Sequence, residues 1–276
     1  MTPLDEQTVL VTGATGGLGR ALVHRFAEHG THVVAHGRST DRLAELVTEV
    51  EAATGQHVDT VQADLAELRD VDRLADELIA RYDALHVLVN NAGVGFGAPG
   101  AAREESVDGI ELRFAVNHLA AYRLATRLTP LLRSSAPARI VQVASAGQLA
   151  LDREDPLTHT AYDGVTAYRR SKLAQVMAAY DLAADLVGTG VTVTALHPAT
   201  FMDTAMVREH GVEPVSSVQE GLDATWRLVA SEDLEGVSGV YFDGQREGRT
   251  DPQADDPAAR AWVRELSASL IADAVA

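Results

Sequence analysis

The chain has 276 residues, with 40 acidic and 23 basic side chains and a formal net charge of −17 at pH 7. So acidic a chain lacks the basic face of a nucleic-acid-binding protein and disfavours docking on anionic lipid. It contains no cysteine, which excludes disulfides, thiolate metal sites, iron–sulfur clusters and thiol nucleophiles. The sequence shows no apolar run of membrane-spanning length and no signal peptide, so we expect a cytoplasmic protein.

Short apolar runs alternate with helical patterns along the whole sequence. Several runs are continuously apolar, which is typical of parallel strands buried on both faces. The alternation predicts one doubly wound α/β domain over residues 1–276, a Rossmann fold with a mostly parallel central sheet flanked by helices. The predicted strands are residues 8–12, 32–36, 58–62, 85–89, 139–143, 191–196 and 239–242. The predicted helices are residues 20–29, 41–53, 68–82, 107–132, 165–186, 218–231 and 258–271.

The end of the chain differs from this pattern. Residues 246–257 are polar and form the loosest segment, which leads into the last helix. We interpret residues 246–276 as a C-terminal appendage on the single domain.

A glycine-rich segment, residues 12–19 (TGATGGLG), joins the first strand to the first helix. Gly13 can form the tight turn, Gly17 lets the backbone approach a pyrophosphate, and Gly19 lets the helix pack on the sheet. The free N–H groups of the helix N-terminus favour phosphates. A glycine-rich turn without a ligand is the alternative. The predicted dinucleotide contacts in this segment are Gly13, Thr15, Gly17, Leu18 and Gly19.

Arg38 directly follows the second strand, and no acidic residue lies between Gly30 and Thr40. An Asp or Glu near this point binds the ribose 2′-hydroxyl of NAD, whereas an arginine suits the 2′-phosphate of NADP. We therefore predict NADP(H) as the cofactor, with His36 and Arg42 assisting. The alternative is that Arg38 only caps the loop.

Further cofactor contacts are predicted after the third and fourth strands. Asp64 is placed to reach the adenine edge, with Leu65 beside it; its alternative role is the N-cap of the next helix, with Glu67 at capping-box spacing. The segment 90–93 (NNAG) contains small residues that let the backbone approach the cofactor, although an ordinary turn has the same composition. The predicted contacts here are Asn91, Ala92 and Gly93.

Lys172 is the only lysine among the 23 basic residues, and it lies four residues after Tyr168. On a helix the two side chains share a face. A free phenol has a pKa of about 10, and a nearby ammonium lowers this pKa toward the neutral range, where tyrosine can act as an acid–base catalyst. The ammonium can also hold the ribose hydroxyls of a bound nicotinamide. The alternative is an incidental surface pair, which is disfavoured because no other tyrosine has a basic residue at this spacing.

Two further polar residues are candidates for the same site. Ser145 ends the fifth strand, at the sheet edge where ligands bind in open α/β folds, and its hydroxyl can bond a substrate carbonyl oxygen. A loop-start cap is its alternative. Asn117 interrupts a helical pattern, and either a water-mediated proton relay from Lys172 or a local kink explains it.

The combination resembles the short-chain dehydrogenase/reductase family over nearly the whole chain. The glycine spacing resembles the compact members, and residues 148–162 and 167–175 are similar to retinol-dehydrogenase-like and carbonyl-reductase-like relatives. The resemblance implies hydride transfer between nicotinamide and a carbonyl carbon. It further implies that Tyr168 is the general acid–base, that Lys172 lowers its pKa, and that Ser145 orients the carbonyl. Asn117 would maintain the proton relay.

The sequence departs from the family pattern after the sixth strand. The family usually has Pro-Gly there, whereas this chain has Pro198-Ala199, and Thr204 lies one residue farther along than usual. Pro198 and Thr200 are therefore the predicted nicotinamide contacts, with Thr200 substituting for the usual threonine.

Residues 199–215 form the predicted substrate lid. Phe201, Met202, Met206 and Val207 favour a hydrophobic ketone or alcohol, or else they only pack on the sheet. Tyr162 lacks a basic residue at +4, so it lies either in the substrate pocket or in loop packing.

The sequence therefore predicts an NADPH-dependent oxidoreductase that reduces ketones or aldehydes and runs in reverse on alcohols. No metal site is predicted. A non-redox NADP-binding sensor or scaffold and a cofactor-retaining epimerase are the alternatives. Compact relatives often pair through helices that correspond to residues 107–132 and 165–186, so a homo-oligomer is one expectation and a monomer is the other.

Overall fold

A single sheet of eight strands forms the centre of the computed structural model, which describes residues 2–276. Its strands are β1 (Thr8–Val11), β2 (His32–Gly37), β3 (Asp59–Gln62), β4 (Val87–Asn90), β5 (Ala138–Val143), β6 (Val191–His197), β7 (Val240–Asp243) and β8 (Arg246–Glu247). Their order across the sheet is β3-β2-β1-β4-β5-β6-β7-β8. Strands β1 to β7 pair in parallel, and β8 pairs antiparallel to β7. The predicted Rossmann-type α/β fold is confirmed.

Helices cover both faces of the sheet. They are α1 (Gly17–Glu28), α2 (Thr40–Thr54), α3 (Leu68–Arg81), α4 (Ala121–Ser134), α5 (Gly164–Asp185), α6 (Ala205–Glu209), α7 (Val218–Ala230), α8 (Pro252–Asp255) and α9 (Pro257–Val275). Leu10 faces one apolar cluster, to which α3, α4, α5 and α9 contribute, and its neighbours Val9 and Val11 face the other cluster, formed with α1, α2 and α7. None of the helices within residues 2–276 combines the length and apolar character needed to cross a membrane.

The strand order places a crevice at the carboxyl ends of β1 and β4. These two strands are neighbours although β2 and β3 lie between them in sequence, so the chain reverses direction across the sheet at this point. Ligands of open α/β sheets bind at such a switch point.

The helix expected over residues 107–132 begins later than predicted. Residues 107–109 form a turn held by the Ser106 hydroxyl, which accepts a hydrogen bond from the Asp108 amide at 3.2 Å. A π-helical segment, Phe114–Ala120, then precedes α4. The Asp108 carboxylate caps α3 by accepting from the Leu68 amide at 2.9 Å, so the turn is fixed by a contact outside the helix.

The C-terminal segment is tied to the domain rather than loose. The Asp251 amide donates to the Gln148 side chain at 3.0 Å, and α9 lies along α5 with an ion pair between Arg260 and Asp181 at 2.9 Å. A second ion pair joins Arg264 to Asp185. Pairing of two copies through this face of α5 would require α9 to leave it, because the chain's own last helix covers that face.

Candidate active site

The glycine-rich loop lies at the carboxyl end of β1. Gly13 and Gly17 adopt positive φ angles of 66° and 51°, which favour glycine. A Cβ atom on Gly13 would lie 2.8 Å from the Cα of Ala92, and one on Gly19 would overlap the carbonyl oxygen of Gly13. Helix α1 begins at Gly17, three residues before its predicted start, so the glycines form its first turn.

The N-terminus of α1 fits an anion. Its N-cap is Gly16, which offers no side-chain oxygen to the free N–H groups, and no acidic residue lies in the first turn. The Arg42 guanidinium lies against this loop and donates to the carbonyl of Thr15 at 2.9 Å. Leu18 is buried beneath the loop. Free N–H groups, the helix dipole and a guanidinium together suit a pyrophosphate.

The end of β2 presents one arginine and one buried histidine. Arg38 is exposed, and within residues 2–276 its guanidinium makes no hydrogen bond or ion pair. His36 is 1% exposed; its Nδ1 accepts from the Gly13 amide at 3.4 Å and its Nε2 contacts the Ala63 carbonyl at 3.2 Å. Burial lowers the pKa of His36 to about 4. The ring is therefore neutral at neutral pH. Both of its nitrogens contact backbone groups, so it supports the glycine-rich loop from beneath.

Asp64 does not cap the following helix, so the capping-box alternative is wrong. Helix α3 starts at Leu68 with Glu67 as its N-cap, and Asp64 instead accepts from the Ala66 amide at 3.0 Å. The Asp64 amide donates to Asp70 at 2.5 Å. This local turn holds Asp64 at the end of β3, while Leu65 is buried.

Thr12 links the loop after β1 to the loop after β4. Its hydroxyl accepts from the amides of Asn91 and Ala92 at 2.9 Å and 3.0 Å, and the Asn91 side chain donates to the Thr12 carbonyl at 2.8 Å. A Cβ atom on Gly93 would lie 3.1 Å from the Asn117 side chain and 3.7 Å from Lys172 Nζ. Gly93 therefore lies between the glycine-rich segment 12–19, called the dinucleotide loop below, and the candidate catalytic residues Asn117 and Lys172.

Asn117 lies in the π-helical segment and is fully buried. Its Oδ1 accepts from the Val94 amide at 2.7 Å, and its Nδ2 donates to the Val94 carbonyl and to Ser171 Oγ, both at 3.0 Å. The local distortion anticipated as an alternative is therefore present. The Asn117 side chain thus contacts the loop after β4 and helix α5. π-Helical segments often occur at functional sites.

Helix α5 carries Tyr168 and Lys172, one turn apart on the same face. Lys172 Nζ lies 5.9 Å from the centre of the Tyr168 ring and donates to the Val143 carbonyl at 2.8 Å. It also donates to Gln175 Oε1 at 2.9 Å, and Gln175 in turn donates to Gln142 at 3.1 Å. The ammonium is therefore anchored to the end of β5, where Ser145 follows.

Burial controls the acidity of both side chains. It raises the pKa of Tyr168, while a hydrogen bond with Ser145 acts in the opposite direction. Burial also lowers the pKa of Lys172 to about 7. The expected lowering of the Tyr168 pKa by Lys172 is not found in this structure, because the ammonium points to the β5 backbone and is itself desolvated.

Ser145 begins the loop after β5 and faces Tyr168. Its hydroxyl accepts from the Gly147 amide at 3.0 Å, so a turn fixes its position. Its carbonyl accepts from Gln148 Nε2 and from the Tyr241 hydroxyl, both at 3.0 Å. These bonds fix the Ser145 backbone and hydroxyl, and the hydroxyl lies beside the Tyr168 phenol.

The predicted lid contains α6 and lies over the residues that follow β4. The Phe96 ring contacts the Tyr168 ring edge-on at 4.5 Å between centroids and the His210 ring at 4.7 Å. A Cβ atom on Gly95 would lie 2.5 Å from the Met206 side chain. Phe96 thus contacts Tyr168, and His210 and Met206 of the lid pack against Phe96 and against its neighbour Gly95.

The residues after β6 occupy separate positions. Pro198 is buried, whereas Thr200 is exposed and its hydroxyl lies 3.0 Å from His197 Nε2. The methyl group of Thr204 would lie 3.0 Å from a Cβ atom on Gly17. The sequence predicted Thr200 as the nicotinamide contact, but the threonine that lies against the dinucleotide loop is Thr204.

Sequence reasoning missed three contributors to the site: Gln175, Gln142 and Phe96. Gln175 follows Lys172 by three residues, a spacing that places both on one helix face and was available from the sequence. Gln142 on β5 and Phe96 after Gly93 carry no comparable spacing signal. Tyr162 belongs to loop packing, because its hydroxyl lies 2.7 Å from Arg113 Nη1 and 3.2 Å from Glu111 Oε1.

Comparison with known proteins agrees with this geometry. Residues 7–213 match the family model of the short chain dehydrogenases. Retinol dehydrogenase 13 of Homo sapiens is 32% identical, covering 97% of this chain and 85% of its own, and retinol dehydrogenase 14 of Mus musculus is 34% identical, covering 97% and 86%. The crystal structure of an uncharacterised protein from Mycobacterium paratuberculosis superimposes with a TM-score of 0.77 at 24% identity, covering 96% of this chain and 93% of that one.

The family match spans most of the chain, and the dinucleotide loop and the Tyr168–Lys172 pair meet at one edge of the sheet. The chain therefore belongs to the short-chain dehydrogenase family and is a nicotinamide-dependent oxidoreductase that resembles retinol dehydrogenases.

Proposed function

We propose that the protein is an NADPH-dependent carbonyl reductase that acts on hydrophobic ketones or aldehydes, and on the corresponding alcohols in reverse. The carrying observation is that Ser145, Tyr168 and Lys172 converge beside Gly93, next to the dinucleotide loop. When bound beside Gly93, NADPH would supply the hydride for the carbonyl carbon. The residues of the chain must then orient the carbonyl and supply a proton.

Tyr168 is the proton donor to the carbonyl oxygen. Because burial raises its pKa, the phenol keeps its proton at neutral pH and is ready to donate as negative charge develops on the oxygen. The Ser145 hydroxyl lies beside it and donates a hydrogen bond to the same oxygen, which fixes the carbonyl in the reactive orientation.

Lys172 supplies the proton that restores the phenol after this transfer. Its pKa of about 7 lets it carry a proton at neutral pH and also release one to restore the phenol. Asn117 shapes the path for that proton by holding Val94 and Ser171 in place. Gly93 leaves room for the nicotinamide ribose beside Lys172.

The preference for NADPH rests on Arg38. Its guanidinium is exposed beside the loop and is not engaged by any other residue from 2 to 276, so it is available to a 2′-phosphate. Arg42 lies on the same side of the loop. No acidic residue occurs from Gly30 to Thr40 to accept a ribose 2′-hydroxyl.

The hydrophobic character of the substrate rests on the groups around Tyr168. Phe96 contacts Tyr168, Met206 packs against Gly95 next to Phe96, and Val207 of α6 is buried. Apolar linings of this kind bind apolar ligands, with a few polar groups fixing their orientation.

The test is a screen of NADPH and NADH oxidation over ketones and aldehydes of graded size. Tyr168→Phe should abolish carbonyl reduction while NADPH binding persists, and Tyr180→Phe on the same helix should leave both unchanged. Full activity of Tyr168→Phe would refute the proposed mechanism. NADPH binding without turnover of any carbonyl would favour a sensor or scaffold, and NADP retained through purification would favour an epimerase.

The cofactor preference has its own variant. Arg38→Ala should reduce the preference for NADPH over NADH by about 10- to 100-fold, the range expected for loss of a charge-assisted hydrogen bond to phosphate. The exposed Arg133 is the matched control, and Arg133→Ala should leave the preference unchanged. An NADH preference in the unmodified protein would overturn the assignment of Arg38.

A further inference from the structure

The segment Gly95–Gly97 forms the part of the site that contacts Tyr168 through Phe96. The carbonyl groups of all three residues contact other parts of the protein. Gly95 O accepts from the side chain of the residue that precedes the π-helical segment, at 2.8 Å, and Gly97 O lies 2.7 Å from His210 Nδ1 of the lid. The Phe96 carbonyl lies so close to Gly164 that a Cβ atom there would overlap it.

The donor to Gly95 is Arg113, whose side chain is 1% exposed. Its Nη1 donates to the Tyr162 hydroxyl at 2.7 Å and to Glu111 at 3.3 Å, and its Nη2 lies 3.3 Å from Glu104. Each nitrogen of the guanidinium therefore has a partner. The planar fork fixes these partners at set angles, which a flexible ammonium cannot do.

The cluster of Arg113, Glu111 and Tyr162 joins three separate parts of the chain. Glu111 is 1% exposed and also accepts from the Phe114 amide at 2.8 Å, which holds it at the start of the π-helical segment. Tyr162 lies two residues before Gly164, the first residue of α5. Since α5 carries Tyr168, the cluster ties the Phe96 segment to the catalytic helix.

A buried charge pair is a weak means of stabilising a fold, because both groups lose their hydration. Here the pair has a geometric result instead: the Gly95 carbonyl, the π-helical segment and the start of α5 meet at one guanidinium. Gly97 leaves the space that this guanidinium needs, since a Cβ atom there would lie 2.7 Å from Arg113 Nη2.

We propose that Arg113 is a positioning residue for the carbonyl substrate, which fixes Phe96 against Tyr168 and so defines one wall of the substrate site. The inference rests on the proposed carbonyl reductase function. Arg113 contacts no reacting atom in this arrangement. Its effect falls on how the substrate is held and not on how the dinucleotide binds, because none of its partners belongs to the dinucleotide loop.

Arg113→Lys is the primary variant, since it keeps a positive charge beside Glu111 but loses the fork. We expect a 10- to 100-fold decrease in kcat/KM for a large hydrophobic ketone, mainly through KM, which is the range expected for a misplaced binding group. The effect should be smaller for a small ketone, which touches Phe96 less. The dissociation constant of NADPH should stay unchanged. Arg123→Lys is the matched control, because Arg123 of α4 is also paired with a carboxylate, that of Asp72 on α3.

Two further variants separate positioning from folding. Glu111→Gln combined with Arg113→Met removes both buried charges, so it avoids an unpaired carboxylate, and it should reproduce the KM effect. Phe96→Leu leaves the cluster intact and should reproduce the same loss of selectivity for large ketones. An equal fall in kcat/KM for large and small ketones, or none in any of the three variants, would overturn the inference.

A crystal structure of Arg113→Lys keeps the test independent of turnover. A Phe96 ring displaced from Tyr168 supports the inference, and a ring kept at the unmodified separation contradicts it. If the unmodified protein reduces no carbonyl, or if Tyr168→Phe stays active, the proposed function fails while this structural outcome still decides the role of Arg113.

Discussion

The two sides of the active site are built by different means. On the dinucleotide side, the contacts come from backbone and from small residues: Gly13, Gly17 and Gly19 at the end of β1, and Gly93 at the end of β4. On the substrate side, the contacts come from large side chains, such as Phe96, and from segments far apart in sequence. The first side depends on the absence of side-chain atoms, and the second depends on their arrangement.

This difference predicts how each side responds to substitution. At Gly13 and Gly19 the dinucleotide loop tolerates no added atom, because the Cα of Ala92 and the carbonyl of Gly13 already occupy the space. A side-chain-built wall can change shape while the fold persists, and substrate selectivity follows that shape. The following predictions test this contrast, from the largest expected effect to the smallest.

Gly19→Ala should reduce the free energy of unfolding by about 3 kcal/mol, because its Cβ atom would overlap the Gly13 carbonyl. NADPH binding should be lost as well. Gly211→Ala in the lid is the matched substitution, with φ of 76° but no atom within 4 Å, and should cost about 1 kcal/mol through backbone strain alone. Thermal and denaturant unfolding measure both, and equal costs would contradict the contrast.

Acidification should destabilise the fold through two buried histidines, one of them beneath the dinucleotide loop. Burial lowers the pKa of His36, beneath the dinucleotide loop, to about 4, and that of His118, beneath α9, to about 3, from an ordinary value of 6.5. Each ring takes up a proton on unfolding below pH 6.5, so stability falls as the pH falls. At pH 5 the loss relative to pH 7 should be about 2 kcal/mol for each histidine.

His36→Gln and His118→Gln should each remove about half of this pH-dependent loss. Denaturant unfolding at pH 5 and pH 7 measures it. Both rings make hydrogen bonds that a glutamine amide can replace in part, His118 with Ser267 Oγ at 2.7 Å. An unchanged pH dependence in either variant would show that its histidine is not the group that titrates.

The pH dependence of catalysis should report Lys172. As the pH rises through about 7, the buried ammonium loses its proton and with it the ability to restore the Tyr168 phenol. We expect kcat/KM for carbonyl reduction to fall about tenfold for each pH unit above this value. A profile that stays flat up to pH 9 would exclude Lys172 as the titrating group.

The smallest effect is expected at the contact between α9 and α5. Arg264 and Asp185 are both nearly half exposed, so Arg264→Ala should change the free energy of unfolding by less than about 1 kcal/mol.

The protein should be a monomer of 29.3 kDa by light scattering, because α9 covers the face of α5 that it contacts. A dimer that persists on dilution would show that pairing uses another face or displaces α9.

The sequence predicted most of the dinucleotide side. Strand–helix alternation, the glycine spacing and the four-residue spacing of Tyr168 and Lys172 are local patterns, and the fold and family they predicted are confirmed. Local patterns also misled at two places: the capping-box spacing at Asp64 does not form a cap, and the helix expected from Val107 begins after a turn.

Those errors share a physical cause. Asp108 caps α3 across 40 residues of sequence, so the helix that would have begun at Val107 gives way to a turn that serves another element. A spacing rule describes neighbours along one helix and has no information about such a partner.

By itself, the sequence determined the fold and the family and pointed to Tyr168 and Lys172 as the proposed catalytic pair, because short spacings and apolar periodicity encode these features. Only the tertiary structure placed Lys172 on the β5 backbone, Thr204 against Gly17, and Arg113 on the carbonyl of Gly95. Each of these contacts joins segments that are distant in sequence, and burial at the first of them changes the acidity of Lys172. Spacing along a chain does not specify burial, so the acidity of the site and the shape of its substrate wall were decided by packing.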